Sequence, residues 1–183
     1  IIAVKGRGVV LDEPSLVAIN EISEEIVAFG QEAGDMAGRE GRDVVVRAPL
    51  IGGVVGDFER TKKMLAHFVK KARTGGSNLS LQAVMSMVSD VTQVEQRALL
   101  NAAEESHIGK VFMMEEALAA AFGAGVLSTD KRASAIIDIG AATTNIAVVA
   151  KGNVITSTSE RYGSSAINEV LATHLRRHRG LQV

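Results

Sequence analysis

The stretch Ile136–Gly152, "IIDIGAATTNIAVVAKG", decides how the whole chain is read. Its opening, Ile136-Ile137-Asp138-Ile139, is short and rich in β-branched residues, as a buried strand is, and carries one acid. Gly140-Ala141-Ala142 then supplies a bend of small residues, Thr143 and Thr144 stand side by side, and Ile146–Val149 starts a second apolar strand. Such a strand–turn–strand can bring backbone N–H groups close to a phosphate. Thr143 and Thr144 would add hydroxyl donors. Asp138 suits Mg2+, which prefers oxygen ligands and keeps several of its waters. The segment is not a P-loop, because Gly-Lys-Ser/Thr is missing and a strand, not a helix, follows the turn. The residues alone leave a second reading open. It is a plain hairpin between two core strands, since alanine occupies 141 and 142, where glycine would most ease a close backbone approach.

Outward from this segment, short apolar strands alternate with longer helical patterns, which indicates an α/β protein. On the C-terminal side, "GNVITSTSER" reads as a third strand. A last helix starts near Ser164, with Ser165 as its cap, and ends in "HLRRHRG". On the N-terminal side, "STDKRA" (128–133) reads as a hinge, "EEALAAAFGAG" (115–125) as a helix ending in glycines, and "KVFMM" (110–114) as a strand. Thr92-Gln93-Val94-Glu95 has capping-box spacing ahead of a helix reaching about Glu105. "LSLQAVMSMV" (79–88) reads as a mostly buried strand and "RTGGSN" (73–78) as a connector. From Asp57 to Ala72, Phe58, Met64, Leu65, Phe68, Val69 and Ala72 share one helical face. Before it, "VVVRA" (44–48) is a strand, 33–43 a short helix or exposed loop, and "EEIVAFGQEA" another short strand. "IIAVKGRGVVLDEPSLVAI" is strand, glycine turn, strand, a break at Pro14, strand.

Bulk composition narrows the function classes. The 183 residues suffice for one fair-sized domain or two small ones, and 46% hydrophobic content with only 2 prolines supports a packed core. Aromatics are 3%, so that core must be aliphatic. A net charge of −1 argues against a nucleic-acid partner. The absence of cysteine excludes disulfides and cysteine metal sites. No apolar run approaches the roughly 18–20 residues of a membrane span. His174 and His178 stand at i, i+4, but without a neighbouring acid motif they read as a solvated helix face.

A weak internal repeat joins the two ends. Ile2–Val10 ("IAVKGRGVV") echoes Ile146–Ile155 ("IAVVAKGNVI"), each a strand, a Lys-Gly turn and a strand. The second copy is preceded by "IIDIGAATT", and the first opens the sequence.

Five segments, in chain order "VKGRGVVLDEPSLVAI", "MAGREGRDVVVRAPLIGGVVGDF", "VTQVEQRALLNAA", "FMMEEALAAAFGAG" and "DIGAATTNIAVV", together resemble the MreB family, the actin-like proteins of rod-shaped bacteria. The family pattern Asp-Ile-Gly-Gly-Gly-Thr-Thr-Glu is similar to Asp138-Ile139-Gly140-Ala141-Ala142-Thr143-Thr144-Asn145. The resemblance implies an actin-like fold of two ribonuclease-H-like halves, with ATP and Mg2+ between them. It implies that Asp138 is the metal-side acid of the second phosphate loop, that Gly140, Ala141, Ala142, Thr143 and Thr144 line that loop, and that Glu116 positions the attacking water as the catalytic group. Read by its residues alone, Glu116 is also an ordinary first-turn acid complementing a helix dipole.

Measured against that pattern, Gly163-Ser164-Ser165 stands for Gly-Gly-Asp, Val88 for a proline, and Ala141-Ala142 for Gly-Gly. The family's first Asp-x-Gly loop would fall just before Ile1, and its chain continues past Val183. The expectation is therefore one nearly complete half plus part of the second. Residues 1–132 form the first half without its first phosphate-loop strand, with a small-subdomain portion at about 20–48. Residues 133–183 begin the second half. The implied function is that of a cytoplasmic cell-shape protein at the inner face of the membrane. It self-associates or joins MreB-type filaments and meets membrane-associated cell-shape proteins, with ATP binding and hydrolysis weak. The alternative is a non-catalytic module, without cofactor, that binds such filaments or itself through exposed sheet edges. A sugar kinase or heat-shock-type chaperone of the same fold is disfavoured by the ordered five segments.

Overall fold

The structure, a computed structural model, describes residues 1–73, 81–126 and 132–181. The connector expected at 73–78 lies outside these beyond Arg73, and so do residues 128–131 of the expected hinge. Along the chain come β1 (Ile2–Val4), β2 (Gly8–Leu11), β3 (Val17–Asn20), β4 (Ile26–Phe29), α1 (Gly30–Met36), β5 (Val44–Arg47), β6 (Leu50–Ile51), β7 (Val54–Val55) and α2 (Phe58–Ala72). Then follow β8 (Gln82–Met87), α3 (Gln93–Glu104), β9 (Lys110–Glu115), α4 (Glu116–Gly123), β10 (Ser134–Ile139), β11 (Thr144–Ala150), β12 (Asn153–Glu160) and α5 (Ser164–Arg179). Contacts divide the chain into two units. The first holds Ile1–Ile51, Val55–Ala83 and Gln93–Phe112, and the second holds Gly52–Val54, Val84–Thr92 and Met113–Val183.

In the first unit, β3 is the centre of an antiparallel sheet of order β4-β3-β5. All of Val17, Ala18 and Ile19 are buried, because helices cover both faces. Val17 and Ile19 join Leu11, Met64 and Phe68 in one cluster, while Ala18, Ala28 and Ala33 form another on the α1 side. Two-sided burial of a four-residue strand explains why its sequence is a continuous apolar run rather than an alternation. The helix expected from Asp57 to Ala72 forms as α2. Asp57 caps it by accepting the Arg60 N–H at 2.9 Å. Its buried stripe is Thr61, Met64 and Phe68, and Thr61 stays satisfied by donating from Oγ1 to the Pro49 carbonyl at 3.3 Å.

Two expectations change here. "EEIVAFGQEA" is strand only to Phe29, after which Gly30, at φ +60°, turns the chain into α1. The strand at 82–87 is not mostly buried, for its residues alternate exposed and half-buried, with Val84 63% exposed.

In the second unit, β10, β11 and β12 form an antiparallel sheet in that order. Register pairs Asp138 with Asn145, Ile136 with Ala147 and Ser134 with Val149 on one face. Helix α4 packs on all three strands. Its fully buried Ala117 and Ala121 add no bulk, so the helix can lie close to the sheet. Contacts group α4 with β10–β12. The opposite face of the sheet carries Ile137, Ile139 and Ile146, all exposed. The repeat read from sequence is two antiparallel hairpins, β1–β2 and β11–β12, whose turns place Gly6 and Gly152 at φ +80° and +76°.

Candidate functional site

The hairpin joining β10 to β11 closes where Gly140 donates its N–H to the Thr143 carbonyl at 2.8 Å, leaving Ala141 and Ala142 exposed at the tip. None of residues 140–144 adopts positive φ, so alanine at 141 and 142 introduces no backbone strain. Among the described residues, the N–H groups of Ala141 and Ala142 have no protein acceptor. Two free, adjacent, exposed donors on a tight turn are the kind of backbone concavity that receives an anion.

Helix α5 holds this turn from behind. Ser164 donates its N–H to the Gly140 carbonyl and Ser165 to the Ala141 carbonyl, both at 3.0 Å. The first free donors of the helix are therefore satisfied by the turn and not by a side-chain cap. Ser165, expected as the cap, is inside the helix, and the cap position belongs to Gly163. Gly163 is buried, and a Cβ there would meet the Gly140 oxygen at 2.5 Å, so glycine is required by close approach.

The other expected residues gather beside the turn. Thr143 is buried, and Thr144 donates its hydroxyl to the Tyr162 carbonyl at 2.7 Å, which ties β11 to the entry of α5. Asp138 is half-buried on the α4 face of the sheet, and its carboxylate, among the described residues, has no hydrogen bond or ion pair. Glu116 is the first residue of α4. Its Oε2 accepts a hydrogen bond from Asn145 Nδ2 at 2.6 Å. Burial pushes the Glu116 carboxyl above the usual glutamate value, the Asn145 hydrogen bond opposes this, and the Asp138 charge adds to it. The oxygens of Asp138 and Glu116 are thus the acceptors of the site, and the N–H groups of 141 and 142 its donors.

Sequence reasoning missed Asn145 and Gly163 as parts of this arrangement. Asn145 is 1% exposed. Its placement opposite Asp138 follows from strand register, which the two-residue tip at 141–142 allows one to count. Gly163 had a weaker signal, a lone glycine immediately before a helical pattern. No cluster of three or more metal-binding side chains occurs among the described residues. His174 and His178 lie side by side on α5 with ring centroids 4.6 Å apart, and no acid joins them.

The chain is 37% identical over 177 residues to the cell shape-determining protein Mbl of Bacillus subtilis, a match covering 97% of this chain and 53% of that protein. It is 36% identical over 185 aligned residues to the cell shape-determining protein MreB of Escherichia coli K12, covering 98% and 53%. The chain thus spans about half the length of the curated relatives it matches. Among solved structures it superposes on MreB5 of Spiroplasma citri bound to ADP with a TM-score of 0.89 and 31% identity, covering 99% of this chain and 54% of that one. The MamK double helical filament shares the fold at a TM-score of 0.78 and 24% identity, covering 97% and 56%. The fold is therefore actin-like, as the ordered segments implied. With the family model for MreB/Mbl protein matched from residue 1 to residue 183, the chain belongs to the MreB/Mbl family.

Proposed function

We propose that this chain is part of an actin-like cell-shape protein and that the turn at Gly140–Thr144 is its second phosphate loop. The observation that carries this reading is the exposed, unpartnered pair of N–H groups at Ala141 and Ala142 on a turn braced by α5. The ATP phosphates would lie against these donors and Gly140, with Thr143 and Thr144 shaping the loop from behind. Asp138, an unpaired half-buried carboxylate, fits the water-mediated hold that Mg2+ takes beside a phosphate ligand. Magnesium would neutralise phosphate charge there. Glu116, whose second carboxylate oxygen remains available, would orient the attacking water for an ATPase of low activity. The division into family halves, 1–132 and 133–183, belongs to the same reading. So do self-association into filaments, a cytoplasmic site at the inner face of the membrane, and contact with membrane-associated cell-shape proteins. Relatives solved with ADP and with AMPPNP support the nucleotide part.

Calorimetric titration with Mg-ATP tests this reading. A weak, Mg-dependent isotherm that Asp138→Ala abolishes supports it. Binding that is indifferent to both Mg2+ and Asp138 contradicts it.

One observation favours a second reading, a non-catalytic module that binds filaments or its own copies. Ile137 and Ile139 are 64% and 62% exposed on the sheet face opposite α4, an apolar patch of the kind that marks an interface. Light scattering over a wide concentration range tests it, and a clean monomer throughout counts against it.

A further inference from the structure

We propose that Asn145 is a positioning residue for Glu116: its amide holds one carboxylate oxygen, so that the other is aimed at the phosphate turn. This rests on the phosphate-loop reading above and adds to it a residue that no expectation assigned. Three observations converge. The Asn145 Nδ2 to Glu116 Oε2 hydrogen bond is 2.6 Å long and joins residues 29 apart in sequence, on two different elements. Asn145 is 1% exposed, so its rotamer is held by packing. Its Oδ1 is buried and, among the described residues, has no hydrogen-bond partner.

The last point separates a functional from a purely structural role. An amide placed only to stabilise the fold would have both ends satisfied, because a buried, unpartnered carbonyl is destabilising. Here one end is bonded and the other is left open, so an apolar residue would suit the fold better. The residue type also answers the local charge. Register sets Asn145 opposite Asp138, and Glu116 touches it from α4. An aspartate of the same size would place a third carboxylate among them and offer no donor. Asparagine supplies the N–H without the charge, keeping Glu116 able to accept a proton from water.

The test uses the full chain as wild type, Asn145→Ala, Asn145→Asp and Glu116→Ala. Without nucleotide, NMR hydrogen exchange reads the Asn145 side-chain amide. The proposal expects one of its protons to exchange at least about tenfold more slowly in the wild type than in Glu116→Ala. Equal exchange overturns it. With Mg-ATP, single-turnover hydrolysis and nucleotide affinity are measured separately. Asn145→Ala is expected to slow hydrolysis by roughly 10- to 100-fold with affinity unchanged. Asn145→Asp is expected to slow it at least as much. Lost affinity or lost stability at an unchanged rate overturns the proposal. If the wild type binds no ATP, the phosphate-loop reading fails, and the amide exchange alone then decides whether Asn145 orients Glu116.

Discussion

Gly163 lies so close to Gly140 that a Cβ on it would sit 2.5 Å from the Gly140 carbonyl oxygen, and 2.6 Å from the carbonyl carbon and oxygen of Ala141. The approach is what lets the first two N–H groups of α5 reach those carbonyls. The helix therefore braces the turn by its backbone, and the N–H groups of the exposed tip residues are left without a protein acceptor among the described residues.

Gly163→Ala should push α5 off the turn. The expected loss is about 1–3 kcal/mol of stability, the usual range for forcing extra atoms into a packed contact. Faster amide exchange at Ser164 and Ser165 is the specific sign. Unchanged protection at both would show that the contact does not hold the helix.

Met64 is 1% exposed and sits in the cluster between α2 and the β3 sheet. Met64→Ala should destabilise the first unit by about 2–5 kcal/mol, the range for buried long side chains cut to alanine. Urea denaturation checks it. A loss below about 1 kcal/mol would mean that the cluster collapses around the gap.

Glu13 carries a pH dependence. Its carboxylate accepts from Lys71 Nζ at 2.5 Å and from the Gln31 N–H at 3.1 Å, clamping α2 and the start of α1. The Lys71 bond first, then the Gln31 bond, pull its carboxyl below the ordinary 4.5. The unfolded chain then takes up the proton before the folded one does. The stabilisation is complete above about pH 4.5 and is lost as pH falls through the lower folded value. Glu13→Gln should flatten that acid limb. A limb as steep as the wild type's, in denaturation scans from pH 6 to 2.5, would contradict the assignment.

Glu116 behaves in the opposite sense. Its carboxyl is raised above 4.5, by burial first. The folded chain holds this proton to higher pH than the unfolded one, so stability falls as pH rises from 4.5 through the folded value. Glu116→Gln keeps an acceptor for Asn145 and removes the buried charge, so it should be more stable than wild type at pH 7. A variant less stable at pH 7 would refute this sign.

How much of this was legible in the sequence depends on distance along the chain. The hairpin at 134–150 was readable because its pattern is local, two apolar runs about a small-residue tip, but not which face turns inward, since Ile137 and Ile139 are exposed and Asp138 shares the α4 face. Helix α2 was readable by periodicity, and only Thr61 was unexpected, since a buried threonine needs the Pro49 carbonyl, which periodicity does not reveal. Strand β8 misled because its apolar residues suggested burial on both sides, while its exposed positions include Val84. The pairing of Asn145 with Glu116, and the approach of Gly163 to Gly140, arise only when distant elements pack. Ordered resemblance to a family supplied the role proposed for the turn, but neither of those contacts.

The central claim is that the N–H groups of Ala141 and Ala142 receive nucleotide phosphate. An NMR titration of the 15N-labelled chain with Mg-ATP tests it most directly. The account predicts Mg-dependent shifts centred on the amides of residues 140–144, saturating weakly, with a Kd on the order of 1 mM, and lost in Asp138→Ala. Amides at 141 and 142 that do not move in a folded chain, or that move equally without Mg2+, would contradict it.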